Sequence, residues 1–126
     1  MGLSSAHPNL LPPLAHVSTD SAAAGALSIS VAGVASQYLF IASVEITISG
    51  AAAGSNIAIT FTEGGITVLW KTVIATGAAV GTRLVRDFPG RGLGAQNAGN
   101  GLDLAATAGG AGTVIIGNVS YYYGPR

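Results

Sequence analysis

Apolar side chains return at every second position along most of this chain, and a period of two is the spacing of one face of a β-strand. The longest run is Tyr38, Phe40, Ala42, Val44, Ile46 and Ile48, interleaved from Ser43 onward with Ser43, Glu45, Thr47 and Ser49. Leu39 and Ile41 make its start apolar on both faces, so this strand is expected to begin buried and end half-exposed. Leu27, Ile29 and Val31 alternate with Ser28 and Ser30, and Ile57, Ile59 and Phe61 with Ala58, Thr60 and Thr62. Ile66, Val68 and Trp70 alternate with Thr67, Leu69 and Lys71. Glu63-Gly64-Gly65 separates the last two runs, and glycine's tolerance of positive φ predicts a tight hairpin there. Segments 80–88, 102–106 and 113–123 complete a set of about seven strands, and residues 15–19 offer an eighth.

Between these runs lie Gly/Ala tracts at 49–55, 75–79 and 108–112, too short and too interrupted by glycine to persist as helix. Many short strands separated by turn signals predict an all-β fold: an antiparallel β-sandwich, jelly-roll-like, over residues 26–126. Residues 1–25 differ. Pro8, Pro12 and Pro13 impose extended backbone and remove hydrogen-bond donors, while Leu10, Leu11 and Leu14 make the segment apolar. It reads as an extended N-terminal arm that packs either on its own domain or on a neighbouring subunit, and both alternatives stay open.

Charge decides which functions are out of reach. Only 8% of the 126 residues are charged, against roughly 25% in an ordinary soluble domain, and five basic residues cancel five acidic ones. A neutral chain lacks the basic footprint that phosphate backbones require, so no nucleic-acid partner is expected. There is no cysteine, which removes disulfides, thiol catalysis and cysteine-ligated zinc. No run of 18 apolar residues exists and the prolines interrupt the stretch 10–17, so neither a membrane span nor a cleaved secretion signal is expected.

Acid–base catalysis needs ionisable groups gathered in a cleft. His7 and His16 both fall in the arm, and Asp20, Glu45, Glu63, Asp87 and Asp103 fall on five different expected elements. Glu45 and Glu63 read as solvated side chains on a strand face and in a turn. No catalytic, cofactor-binding or metal-binding residue is therefore assigned. The loop Phe88-Pro89-Gly90-Arg91-Gly92-Leu93-Gly94 alternates glycines, but no Lys-Ser/Thr follows and no helix is expected behind it, so it is not a phosphate cradle.

What the sequence offers instead is contacts. Arg83, Arg86, Asp87 and Arg91 hold four of the charged residues within nine positions. Arg86 shares strand parity with Leu84 and Phe88, and if buried it needs a partner such as Asp87 or Asp103. An intersubunit ion pair and a charge-protected sheet edge are the two readings. Three consecutive tyrosines, Tyr121 to Tyr123, cannot all enter a core, and Tyr122 is the candidate to project outward as a contact. With the arm residues Leu10, Leu11, Pro12, Pro13 and Leu14, these make the set of candidate assembly contacts: the arm, Arg83, Arg86, Arg91 and Tyr122. A chain with so little charge risks association when free, and it can carry such a surface if partners cover it.

The apolar arm, the Ser/Ala-rich first strand, the segment Tyr38-Leu39-Phe40-Ile41-Ala42-Ser43-Val44-Glu45-Ile46-Thr47, the Gly/Ala-rich loops, Gly101-Leu102-Asp103-Leu104-Ala105-Ala106 and the terminal Gly117-Asn118-Val119-Ser120-Tyr121 strand follow one another in order. Over residues 20 to 124 this order resembles small β-sandwich virion proteins of tailed bacteriophages. The resemblance implies a jelly-roll-like capsid decoration or cement protein on the virion surface, assembled in the bacterial cytoplasm. It implies as partners the chain itself, as a dimer or trimer, and the major capsid protein. It carries no catalytic residue. The alternative it leaves is a tail or fibre component with a carbohydrate- or receptor-binding sandwich, for which Trp70 and Tyr122 are the aromatic candidates.

Overall fold

The alternation becomes two stacked sheets in the computed structural model, which describes residues 14–125. The strands are β1 (Ala15–Asp20), β2 (Leu27–Val31), β3 (Tyr38–Ser49), β4 (Ile57–Glu63), β5 (Thr67–Ile74), β6 (Arg83–Asp87), β7 (Leu93–Gly94), β8 (Leu102–Ala106) and β9 (Val114–Gly124). Every pairing is antiparallel. One sheet runs β1-β9-β3-β6, with β7 also on β3, and the other runs β2-β8-β4-β5. With the two-residue β7 set aside, one sheet holds the first, last, third and sixth strands and the other the second, seventh, fourth and fifth. That is the jelly-roll order, two Greek keys folded into a sandwich.

The core is the space between the sheets. Leu27, Ile29, Ile57, Ile59, Phe61, Leu102 and Leu104 fill it from the four-stranded sheet, and Leu39, Ile41, Val44, Ile46, Ile48, Ile115 and Val119 from the other. Burying each such side chain contributes roughly 1.5–3 kcal/mol, so this layer holds the fold together.

Two bulges set which residues reach it. In β3 the register with β9 shifts between Ile41 and Ser43, leaving Ala42 as the extra residue. Such an insertion reverses strand parity. Leu39 and Ile41 therefore share the inner face with Val44, whereas Phe40, expected on that face, turns outward opposite Tyr122. In β5 the register with β4 shifts after the Phe61–Trp70 pair, so Trp70 faces inward while Val68 pairs with Thr62 on the outer face. Ile66 and Val68 consequently stand 87% and 52% exposed instead of joining Trp70.

The hairpin lies where the sequence places it, with Gly64 and Gly65 at φ of 60° and 74°. Segment 80–88 is a strand only from Arg83 to Asp87, because Thr82 N–H bonds back to Ala79 O in a turn. Residues 15–20, within the expected arm, pair along their whole length with β9 as the sheet's edge strand, so this part packs on its own domain. Leu10, Leu11, Pro12 and Pro13 lie outside the described residues.

Glu63 corrects a sequence expectation. It is 4% exposed rather than solvated, because it continues the inward parity of Ile57, Ile59 and Phe61 to the end of β4. Its carboxylate accepts hydrogen bonds from Gln96 N–H at 2.7 Å, Asn97 N–H at 3.0 Å and the Asn100 side-chain amide at 3.0 Å. Burial pushes its pKa up, but these hydrogen bonds outweigh burial and hold it below the ordinary glutamate value. One carboxylate thus pins the 96–100 loop to the end of the sandwich.

Candidate functional site

Catalytic chemistry finds little to work with. His16 Nδ1 lies 2.8 Å from Ser120 Oγ, a base beside a hydroxyl, but both sit on the open outer face of the five-stranded sheet. Activating a serine requires a base that a third group orients, and an enclosed site that holds substrate. Among the described residues no acidic group meets the imidazole, no ligand-sized cavity opens and no group of three His, Asp or Glu side chains converges.

Surface charge is distributed unequally between the two outer faces. On the five-stranded sheet, cross-strand register places His16 and Asp20 of β1, Glu45 of β3, and Arg83 and Asp87 of β6 outward. On the four-stranded sheet the outward positions are Ser28, Ser30, Ala58, Thr60, Thr62, Ala105, Val68 and Val73, with Lys71 and Asp103 as the charged exceptions. Apart from Lys71 and Asp103, this second face is built of Ser, Thr, Ala and Val.

The exposed large apolar residues are also unevenly placed. Ile66, Val68, Val73, Val80 and Val85 are between 52% and 87% exposed, and all five lie between the β4–β5 turn and β6. β5 and β6 are edge strands of different sheets on one flank, joined by the Trp70–Phe88 contact with ring centroids 5.5 Å apart. Of the other exposed large apolar residues, Leu14 is 47% and Val34 39% exposed. Sequence reading grouped Val68 with Trp70, and the bulge at Leu69 is what turns Val68 outward.

The candidate contact residues fare differently. Arg83 donates through Nε at 2.7 Å to Glu45 Oε2, its Nη2 lying 2.6 Å from the same oxygen, an ion pair within the chain. With side chains 62% and 31% exposed, such a pair contributes about 0–1 kcal/mol. Arg86 has the inward parity expected of it, opposite Val44, yet it is exposed. At a sheet edge an inward-parity side chain reaches water around the flank, so it needs no buried countercharge. Its guanidinium lies 5.5 Å from the Phe88 ring, and neither Asp87 nor Asp103 serves as its partner.

Arg91 and Tyr122 form one unit. Tyr122 is 8% exposed, stacked on Phe40 with centroids 5.2 Å apart, and its hydroxyl donates to Arg91 O at 2.5 Å. The Arg91 guanidinium covers Phe40 at 4.5 Å and donates to Pro125 O. Tyr122 does project from the sandwich core, but the 89–92 loop folds over it, so its ring is not an exposed contact. Trp70 is half-buried against Phe61 and Phe88. The two aromatic candidates for sugar stacking are therefore engaged within the chain.

Glu63 was legible in principle, since it shares the parity of Ile57, Ile59 and Phe61; the Gly-Gly turn beside it masked that signal. No family model, no curated protein and no solved structure matches the chain.

Proposed function

We propose that this chain is a non-enzymatic structural protein of a bacteriophage virion, a capsid decoration or cement protein that binds the shell surface and stabilises neighbouring subunits. The observation that carries the reading is the outer face of the four-stranded sheet, mainly Ser, Thr, Ala and Val with one Lys and one Asp, continued by the exposed Ile66, Val80 and Val85 on the β5–β6 flank. A protein working free in water keeps its surface hydrated and self-repelling. Here a face of mainly Ser, Thr, Ala and Val offers contact with one Lys and one Asp to desolvate, which suits a surface that a partner covers. The jelly roll is a recurrent architecture of capsid proteins, and that support is by fold analogy. The sugar-binding alternative needs an exposed aromatic platform, and the burial of Tyr122 and the packing of Trp70 speak against it.

In this reading the apolar arm segment Leu10 to Leu14 clasps a neighbouring subunit. Co-sedimentation with phage particles stripped of the protein tests it. Deleting residues 2–13, which leaves β1 intact, is expected to weaken particle binding at least about tenfold, the effect of ~1.4 kcal/mol of lost contact. Full-length protein that shows no affinity for particles contradicts the function, and unchanged binding after the deletion removes the arm from it.

A further inference from the structure

We propose that the free edge of β6 is where a second copy of this chain docks, pairing antiparallel with its own β6 across a two-fold axis at Val85. This contact deepens the assembly reading and rests on it.

β6 pairs with β3 on one side and ends its sheet on the other. The hydrogen bonds at its two ends show which backbone groups are already used. Thr82 O accepts from Ile48 N–H at 2.9 Å, and Phe88 N–H donates to Ala42 O at 3.0 Å. Backbone polar groups alternate sides along a strand, so positions 82, 84, 86 and 88 turn theirs toward β3. Arg83, Val85 and Asp87 therefore turn their N–H and C=O groups to the open edge, the arrangement that recruits another strand.

Charge selects the occupant and the register. Arg83 and Asp87 stand two residues either side of Val85, carry opposite charge and lie on the same outer face. With Val85 on the axis, Arg83 of each copy opposes Asp87 of the other, and Val85, 52% exposed in the single chain, meets its counterpart. All the paired residues are those with outward backbone groups, so each pair exchanges both of its hydrogen bonds. Moving the axis one residue breaks both Arg83–Asp87 pairs, setting Arg83 opposite Val85 in one direction and Asp87 opposite Val85 in the other, and moving it two residues sets like charges against each other, which is destabilising. The strand is thus complementary to itself in a single register. Arg83 engages Glu45 through Nε and Nη2, which leaves Nη1 to meet a second carboxylate, and the Arg83–Glu45 bridge does not involve Asp87.

Sedimentation velocity of the full chain tests the contact by charge exchange. The unmodified protein is expected to sediment as a dimer whose population falls as salt screens the ion pairs. Arg83→Glu and Asp87→Lys each place like charges in both flanking pairs and are expected to give monomers. An equimolar mixture of the two variants regains the dimer, because every flanking pair in the mixed dimer joins opposite charges. Val85→Pro is a second route to the monomer: it deletes an outward N–H, leaves the bonds to β3 in place, and is tolerated on an edge strand. A monomeric unmodified protein, a dimer that persists in Val85→Pro, or a mixture that stays monomeric overturns the proposal. An unmodified chain that is monomeric yet binds particles overturns this contact alone and leaves the assembly reading standing.

Discussion

Replacing Glu63 with alanine is expected to destabilise the fold by about 1.5–3 kcal/mol, the range for hydrogen bonds to a charged group. The substitution strands Gln96 N–H, Asn97 N–H and the Asn100 amide, all now held by one carboxylate that is 4% exposed. Urea denaturation measures the loss, and hydrogen exchange places it, with amides 96–100 losing protection first. The pH dependence has a definite sign. Because the folded carboxylate binds its proton less tightly than the unfolded one, its contribution is complete above the unfolded-state value and is lost as pH falls through the folded-state value. Glu63→Gln, which cannot ionise, should therefore be less stable than the unmodified protein at about pH 7, and the gap should narrow as the pH falls below the ordinary glutamate value. A gap independent of pH contradicts the role given to the carboxylate.

Gly33→Ala is expected to cost about 3 kcal/mol, at the upper end for overpacking. A Cβ at this position would lie 1.9 Å from Gly99 O, 2.6 Å from Gly99 C and 2.7 Å from Asn100 C. These are backbone atoms, so no side chain can swing aside, and the loop that Glu63 pins has to move bodily. Gly99 N–H bonds to Gln37 O at 2.8 Å in the β2–β3 connection, so the shift would also break that bond. Gly33→Ala and Glu63→Ala act on the same docked loop. Their combined effect should fall short of the sum, and a double-mutant cycle measures the shortfall. Full additivity would mean that the carboxylate and the close backbone approach hold different structures.

Strand positions were largely readable because a half-buried strand writes its burial into every second residue. β2 and β8, Leu27–Val31 and Leu102–Ala106, lie where the alternation ends, and the Gly64-Gly65 turn lies between the runs it was expected to join. Bulges were not readable, since one extra residue leaves no compositional trace in a run already apolar on both faces. Ala42 and Leu69 each reversed the parity of the residues before them relative to those after, and that moved Phe40 outward and exposed Val68. Pairing across sheets was equally hidden. Nothing in the order of residues says that Glu63 meets Asn100 or that Tyr122 lies beneath Arg91, because those contacts depend on which loops the jelly roll brings to one end. The charge cluster at Arg83 to Asp87 was visible, but its arrangement about Val85 acquires meaning only once β6 is known to be an edge.

The assembly reading stands or falls on where the protein resides when its surface is covered. Electron cryomicroscopy of particles purified from the phage proposed to encode the chain, with the chain quantified in the same preparation, measures this directly. The account predicts the chain in fixed ratio to the shell subunit, with jelly-roll density on the capsid surface and the outer face of the four-stranded sheet turned against a partner. Particles that lack the chain, or that carry it with that face open to solvent, would contradict it.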